Sequence, residues 1–194
     1  MDKNNIVNLA MTKELTSIKD VREKVEVVVN LITDATKEMI KDFNRFGGPK
    51  MMILTKNKLA YADVSSMPDT PEERSEFFKT LGKNLPQMMG DDCYAFVFSA
   101  EAFAEKVDAK TGTRTGKKNC IHISAIDIEG FEFQKIIPFN NYKVESNDEF
   151  KEIEGWHNTM KENLYKSPCK ELLVAYKFAL FSKGMNAMLG RKDE

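Results

Sequence analysis

Between Ser17 and Phe46 apolar residues recur at intervals of three and four, through Ile18, Val21, Val25, Val28, Ile32, Ala35, Met39 and Phe43. This spacing predicts an amphipathic helix. Thr16 or Ser17 can cap its first turn, and Gly47-Gly48-Pro49 provides a residue tolerant of positive φ and then one that cannot extend a helix. Met51–Thr55 and Leu59–Val64 are β-prone runs around Lys56-Asn57-Lys58, the pattern of a hairpin. Thr70-Pro71-Glu72-Glu73 joins a capping threonine, a proline at the first helical position and an acid three residues after the cap. With Phe77, Phe78, Leu81 and Leu85 as its stripe, this second helix is expected to stop near Pro86.

Tyr94–Phe98 is apolar at every position, as a central strand covered on both faces should be. Cys120–Ile128 and Phe131–Phe139 then flank Glu129-Gly130. A two-residue turn there pairs Ile128 with Phe131, Ile126 with Phe133, Ser124 with Lys135, His122 with Ile137 and Cys120 with Phe139. Ile126, Ile128, Phe131 and Phe133 are then expected to share one buried face, with Asp127 opposite Glu132 on the other. From Asn147 the spacing of Phe150, Ile153, Trp156, Met160 and Leu164 predicts a further helix, interrupted at Ser167-Pro168. The last helix, Cys169 to about Met188, is apolar around most of its circumference between Leu172 and Phe181, which implies burial on several sides.

These elements read αββαβββαα, an α+β fold with a mostly antiparallel five-stranded sheet and helices packed on it. No repeat or linker divides the chain, so residues 1–194 are expected to form a single domain, with residues 1–16 a flexible N-terminus and residues 105–118 a flexible basic loop. The element order resembles that of profilin-like and roadblock-type α/β modules and, more loosely, small-molecule sensor folds. The resemblance implies a role in protein assembly or ligand sensing.

Composition narrows the classes. Lys and Arg number 29 against 30 Asp and Glu, so no overall field draws in nucleic acid or an anionic membrane. The opening Met1-Asp2-Lys3-Asn4-Asn5 lacks a leader's apolar stretch, and Leu172–Phe181 is short and broken by Lys177; a cytoplasmic protein without a membrane span is expected. Cys93, Cys120 and Cys169 are far apart and form no CxxC pair, so reduced structural thiols are expected, with no metal and no cofactor.

No phosphate-loop, dinucleotide, metalloprotease, serine-hydrolase or calcium-loop motif occurs in the chain. Of the two histidines, His122 is expected half-buried on a strand beside Cys120, with Ser124 or Ser99 satisfying its ring, and His157 solvated on an acidic helix. Asp127 and Glu132, facing each other, would repel unless water or a cation intervened. The 105–118 segment carries Lys106, Lys110, Arg114, Lys117 and Lys118 against Glu105 and Asp108, enough to touch phosphates but without an aromatic to stack a base. The methionines include Met51, Met52, Met88, Met89, Met185 and Met188, suited to irregular cores or adaptable surfaces. Phe178, Phe181, Met185, Met188 and Leu189 lie where few later residues remain to cover them.

The expected function is a non-catalytic interaction or regulatory module, homo-oligomeric or bound to a protein partner. The alternatives are a ligand sensor or unfamiliar enzyme, with a sheet–helix pocket using Glu101, His122 or Cys120, and nucleic-acid binding through the basic segment.

Overall fold

Asp20 sets the start of the first long helix. Its carboxylate accepts from the Glu23 amide at 2.9 Å, and helix α2 runs over Val21–Phe43, following the single turn α1 at Lys13–Ser17. The cap expected at Thr16 or Ser17 is thus displaced, because Asp20 is the nearer acceptor to the free first-turn amides. In the computed structural model, residues 6–9, 13–43, 46–56, 58–107, 110–140, 143–144, 155–158 and 168–189 are described.

The remaining elements are β1 (Ile6–Leu9), β2 (Lys50–Thr55), β3 (Leu59–Asp63), α3 (Pro71–Met89), β4 (Cys93–Val107), β5 (Arg114–Asp127), β6 (Phe131–Asn140), β7 (Lys143–Val144), β8 (Gly155–Asn158) and α4 (Pro168–Met188). The five expected strands are all present in one mostly antiparallel sheet, ordered β3-β2-β4-β5-β6, with β1 beyond β3 and with β7 and β8 both on the outer edge of β6. The segment expected as a flexible N-terminus therefore supplies an edge strand, and Leu15 is buried in the core.

Both faces of the sheet are covered. Val25, Val28, Val29, Ile32 and Ile40 of α2 pack on Ala95, Val97, Ile121, Ile123 and Phe133. On the other face Phe78, Leu81 and Leu85 of α3, with Leu172, Leu173 and Tyr176 of α4, cover Met51, Ile53, Phe96, Phe98 and Ile126. The uninterrupted apolar run of β4 follows from its central place, alternate residues serving alternate cores.

α3 begins as its sequence indicates, with Thr70 Oγ1 accepting from the Glu73 amide, but it continues through Pro86 to Met89. Pro86 removes only the amide that would bond the Gly82 carbonyl. Gly90, at φ +88, closes the helix. α3 and α4 run parallel and are tied along their length: Ser75 donates to Glu171 at 2.7 Å, Gly82 abuts Leu172, Ala175 and Tyr176, and Lys183 pairs with Asp91 at 2.8 Å.

The β5–β6 register differs from the expected one by a single residue. The Gly130 amide bonds the Asp127 carbonyl at 3.0 Å, so Ile128, Glu129 and Gly130 form a three-residue loop with Gly130 at φ +94. Ala125 pairs with Phe133, Ile126 with Glu132, Ser124 with Gln134, His122 with Ile136 and Cys120 with Pro138. A one-residue slip inverts the faces. Ile126 joins the α3–α4 core and Phe133 the α2 core, so the single face expected for Ile126, Ile128, Phe131 and Phe133 does not form.

The helix expected from Asn147 to Leu164 is strand over Gly155–Asn158, where β8 pairs with β6. The rest of that expected helix lies outside the described residues. Trp156 packs edge-on against Phe133, with ring centroids 5.6 Å apart, and donates its indole N–H to Glu26 of α2 at 2.7 Å. That cross-strand partner overrides the helical periodicity.

Candidate functional site

The basic segment is not a loop over most of its length. β4 extends to Val107 and β5 begins at Arg114, pairing Val107 with Arg114, Lys106 with Thr115 and Ala104 with Lys118, and Gly116 at φ +67 adjoins the shift in register. The result is a paired arm with a turn at Lys110 and Thr111. Lys110 is exposed and Lys118 half-buried, and each has an interaction partner; the side chains of Lys106, Arg114 and Lys117 lie outside the described residues.

Asp127 and Glu132, expected to oppose each other, lie on opposite faces of the sheet. Asp127, nearly buried, accepts from Arg22 Nε at 3.0 Å and from the Phe131 amide at 2.9 Å. Arg22 also reaches Glu129 at 3.1 Å and stacks on the Phe131 ring, 3.8 Å from its centroid. This cluster locks the start of α2 to the β5–β6 turn. Sequence inspection missed Arg22 because nothing local marks a residue whose partner is 105 positions away.

Glu132 belongs to the α3–α4 side and is fully buried. Its Oε1 accepts from Ser124 Oγ at 2.6 Å, while Oε2 has no hydrogen-bond partner among the described residues. Cys169 at the start of α4 donates its thiol to the Ser124 carbonyl at 3.3 Å. His122, partly buried on the same face, is hydrogen-bonded to the Gln134 side chain. Burial lowers its pKa below the ordinary imidazole value, against the opposing pulls of the Glu132 carboxylate and of Gln134. The β6–β8 register puts His157 directly across from Glu132; its side chain lies outside the described residues. Among the described residues no group of three or more His, Cys, Asp or Glu is placed to hold a metal ion.

His122 stands at the edge of a cleft of about 530 Å³ between the first turns of α3 and α4. Its floor is made by β4, where Phe96 and Phe98 fill the core and the next residues on that face, Ala100 and Ala102, leave room. Glu101 also lines this cleft, whereas Cys120 is buried against Ala102 and Ile136. The drop from phenylalanine to alanine at alternate β4 positions is the sequence signal that could have located the cavity.

All three cysteines are buried free thiols. Burial raises the Cys93 pKa to about 11, with the Asp92 and Asp91 charges adding to the shift and its hydrogen bond with Tyr176 opposing it. Tyr94 is likewise raised to about 12 by burial. An unfolded chain releases the Cys93 proton near 9.0, whereas the folded chain keeps it to about 11, so the unfolded state binds fewer protons in this window. Stability should therefore fall as pH rises from about 9 to 11. Melting temperatures measured across that range are expected to decline; a flat or rising profile would refute these burial effects.

The residues singled out at the C-terminal end are all exposed. Phe178 is 64% exposed, Phe181 67%, Met185 42%, Met188 85% and Leu189 58%, and Val174, one turn earlier, is 52% exposed. α4 is therefore buried on one side only, through Cys169, Leu172, Leu173, Ala175 and Tyr176, and not on the several sides its composition implied. No helix among the described residues is long and apolar enough to cross a membrane. Comparison of the chain with protein-family models, with curated proteins and with solved structures returns no match.

Proposed function

We propose that this protein is an interaction module that associates with a second copy of itself through the outer face of α4. The observation that carries this reading is the exposed stripe Val174, Phe178, Phe181, Met185 and Met188. Fully covering one large apolar side chain contributes about 1.5–3 kcal/mol, so five on one face form a strong driving surface. Their spacings of four, three, four and three average the 3.5 residues of a paired-helix seam.

The occupant follows from the chemistry of the seam. No charged residue lies within the stripe, so the stripe itself calls for no oppositely charged partner; Lys177 flanks it, and Lys183, on the opposite side of the helix, is paired with Asp91. A uniformly apolar stripe is complementary to its own copy about a two-fold axis: an antiparallel contact centred on Phe181 sets Val174 against Met188. Ser182 and Gly184, flanking the seam, are small enough to let two helices approach closely.

Replacing Phe178 and Phe181 together by serine is expected to weaken association about a hundredfold or more. Because both side chains are largely exposed in the single chain, the melting temperature of the dissociated protein should scarcely change. Sedimentation velocity over a dilution series reads the first effect and thermal unfolding the second. Undiminished association in the double variant would rule out this face.

A further inference from the structure

We propose that the cleft between the N-terminal turns of α3 and α4 is a binding site for a small organic amine, whose N–H donates to the free ring nitrogen of His122. The site is distinct from the outer face of α4.

The argument starts at the imidazole. His122 is hydrogen-bonded to the Gln134 side chain, and both burial and the Gln134 contact bear on its protonation. A neutral ring that donates one N–H to Gln134 keeps a lone pair on its other nitrogen. His122 lines the cleft, and with this nitrogen turned to the cleft the ring would supply an acceptor there, which calls for a donor from the ligand.

The walls then select the donor's charge. Glu72, Glu76 and Glu171 line the cleft against Arg74 and Lys79, and Lys79 is neutralised by Glu76 at 2.7 Å. Glu171 uses one carboxylate oxygen for Ser75, leaving the other available to an ammonium or guanidinium group. The buried Glu132 carboxylate, one oxygen of which is unpartnered among the described residues, acts on His122 and adds to the negative potential at that end. An anionic ligand meets these carboxylates at close quarters, while a cation is drawn in.

The floor sets the body of the ligand. Phe78 and Phe98, edge-on with ring centroids 5.3 Å apart, and the alanines of β4 offer an apolar bed. A cavity of about 530 Å³ with an apolar floor and a few convergent polar groups is within the range of small-molecule sites. The occupant class is therefore a primary amine or guanidinium on a short apolar body.

The test uses the full chain, with phenethylamine and agmatine as probes and butyrate as the anionic control, followed by the ring nitrogen signals of His122 and the backbone amide of Ala100. Saturable shifts from at least one amine in the millimolar range, with none from butyrate, are expected. Ala102→Leu, which fills the cavity and leaves the carboxylates in place, should abolish the shifts, and Glu171→Gln should weaken binding about tenfold. Silence from both amines, equal binding of butyrate, or undiminished binding in Ala102→Leu would each overturn the proposal. Should Ala102→Leu fail to fold, Glu171→Gln decides alone: unchanged affinity there overturns it.

Discussion

Substituting Gly82 by alanine is expected to destabilise the protein by about 2–3 kcal/mol, although in a free helix the same change would stabilise it by about 1 kcal/mol. A Cβ at this position would overlap the Leu172 carbonyl oxygen and lie 3.0 Å from the Ala175 Cβ. Backbone cannot yield as a flexible side chain does, so α3 and α4 must separate. The separation propagates to Tyr176, whose ring meets Phe96 at 5.6 Å and whose hydroxyl accepts from the Cys93 amide at 3.1 Å. Chemical denaturation of the two proteins measures the difference. A more stable Gly82→Ala variant would show that the helices are not in this close contact.

The second large effect is expected at Asp127. Asp127→Ala should cost about 2–3 kcal/mol, since it removes the acceptor of both the Phe131 amide and Arg22 Nε. Arg22 is 36% exposed, so water compensates part of the lost ion pair, and the cost falls short of that for a wholly buried one. Asp127→Asn retains an oxygen for the Phe131 amide and should lose less than half as much. Equal losses in the two variants would place the effect in the ion pair alone, against the proposed anchoring of the turn.

The parts of the fold that were legible in the sequence are those set by local chemistry. Thr70-Pro71 marks the start of α3 because the capping hydroxyl and the fixed proline φ act within one turn. The covered centre of β4 is legible because neither of its faces tolerates a polar residue. Elsewhere the determining contacts are distant or hinge on parity. One loop residue more than expected, Ile128, reverses the facing of Ile126, Glu132 and Phe133, and hydropathy near the turn does not register the change, because both sheet faces are buried. Trp156 satisfies a helical spacing and a strand pairing alike, and Phe133 with Glu26 decides between them.

Of the candidate sites, the α4 residues were readable as apolar, but composition alone does not separate a helix buried on all sides from one that keeps a face open. The exposure of Val174, Phe178 and Phe181 beside buried Leu173 and Tyr176 makes that distinction. Glu132 was noticed in the sequence for a repulsion with Asp127 that does not exist. Its actual environment, with Ser124, Cys169 and His122, is assembled from two strands and a helix.

The central claim is that the outer face of α4 is covered by a second copy of the chain. Light scattering coupled to gel filtration, at micromolar concentrations of the intact protein, measures this directly. The expected mass is twice that of the 22.2 kDa chain. A mass of one chain, constant across the dilution series, would contradict the claim.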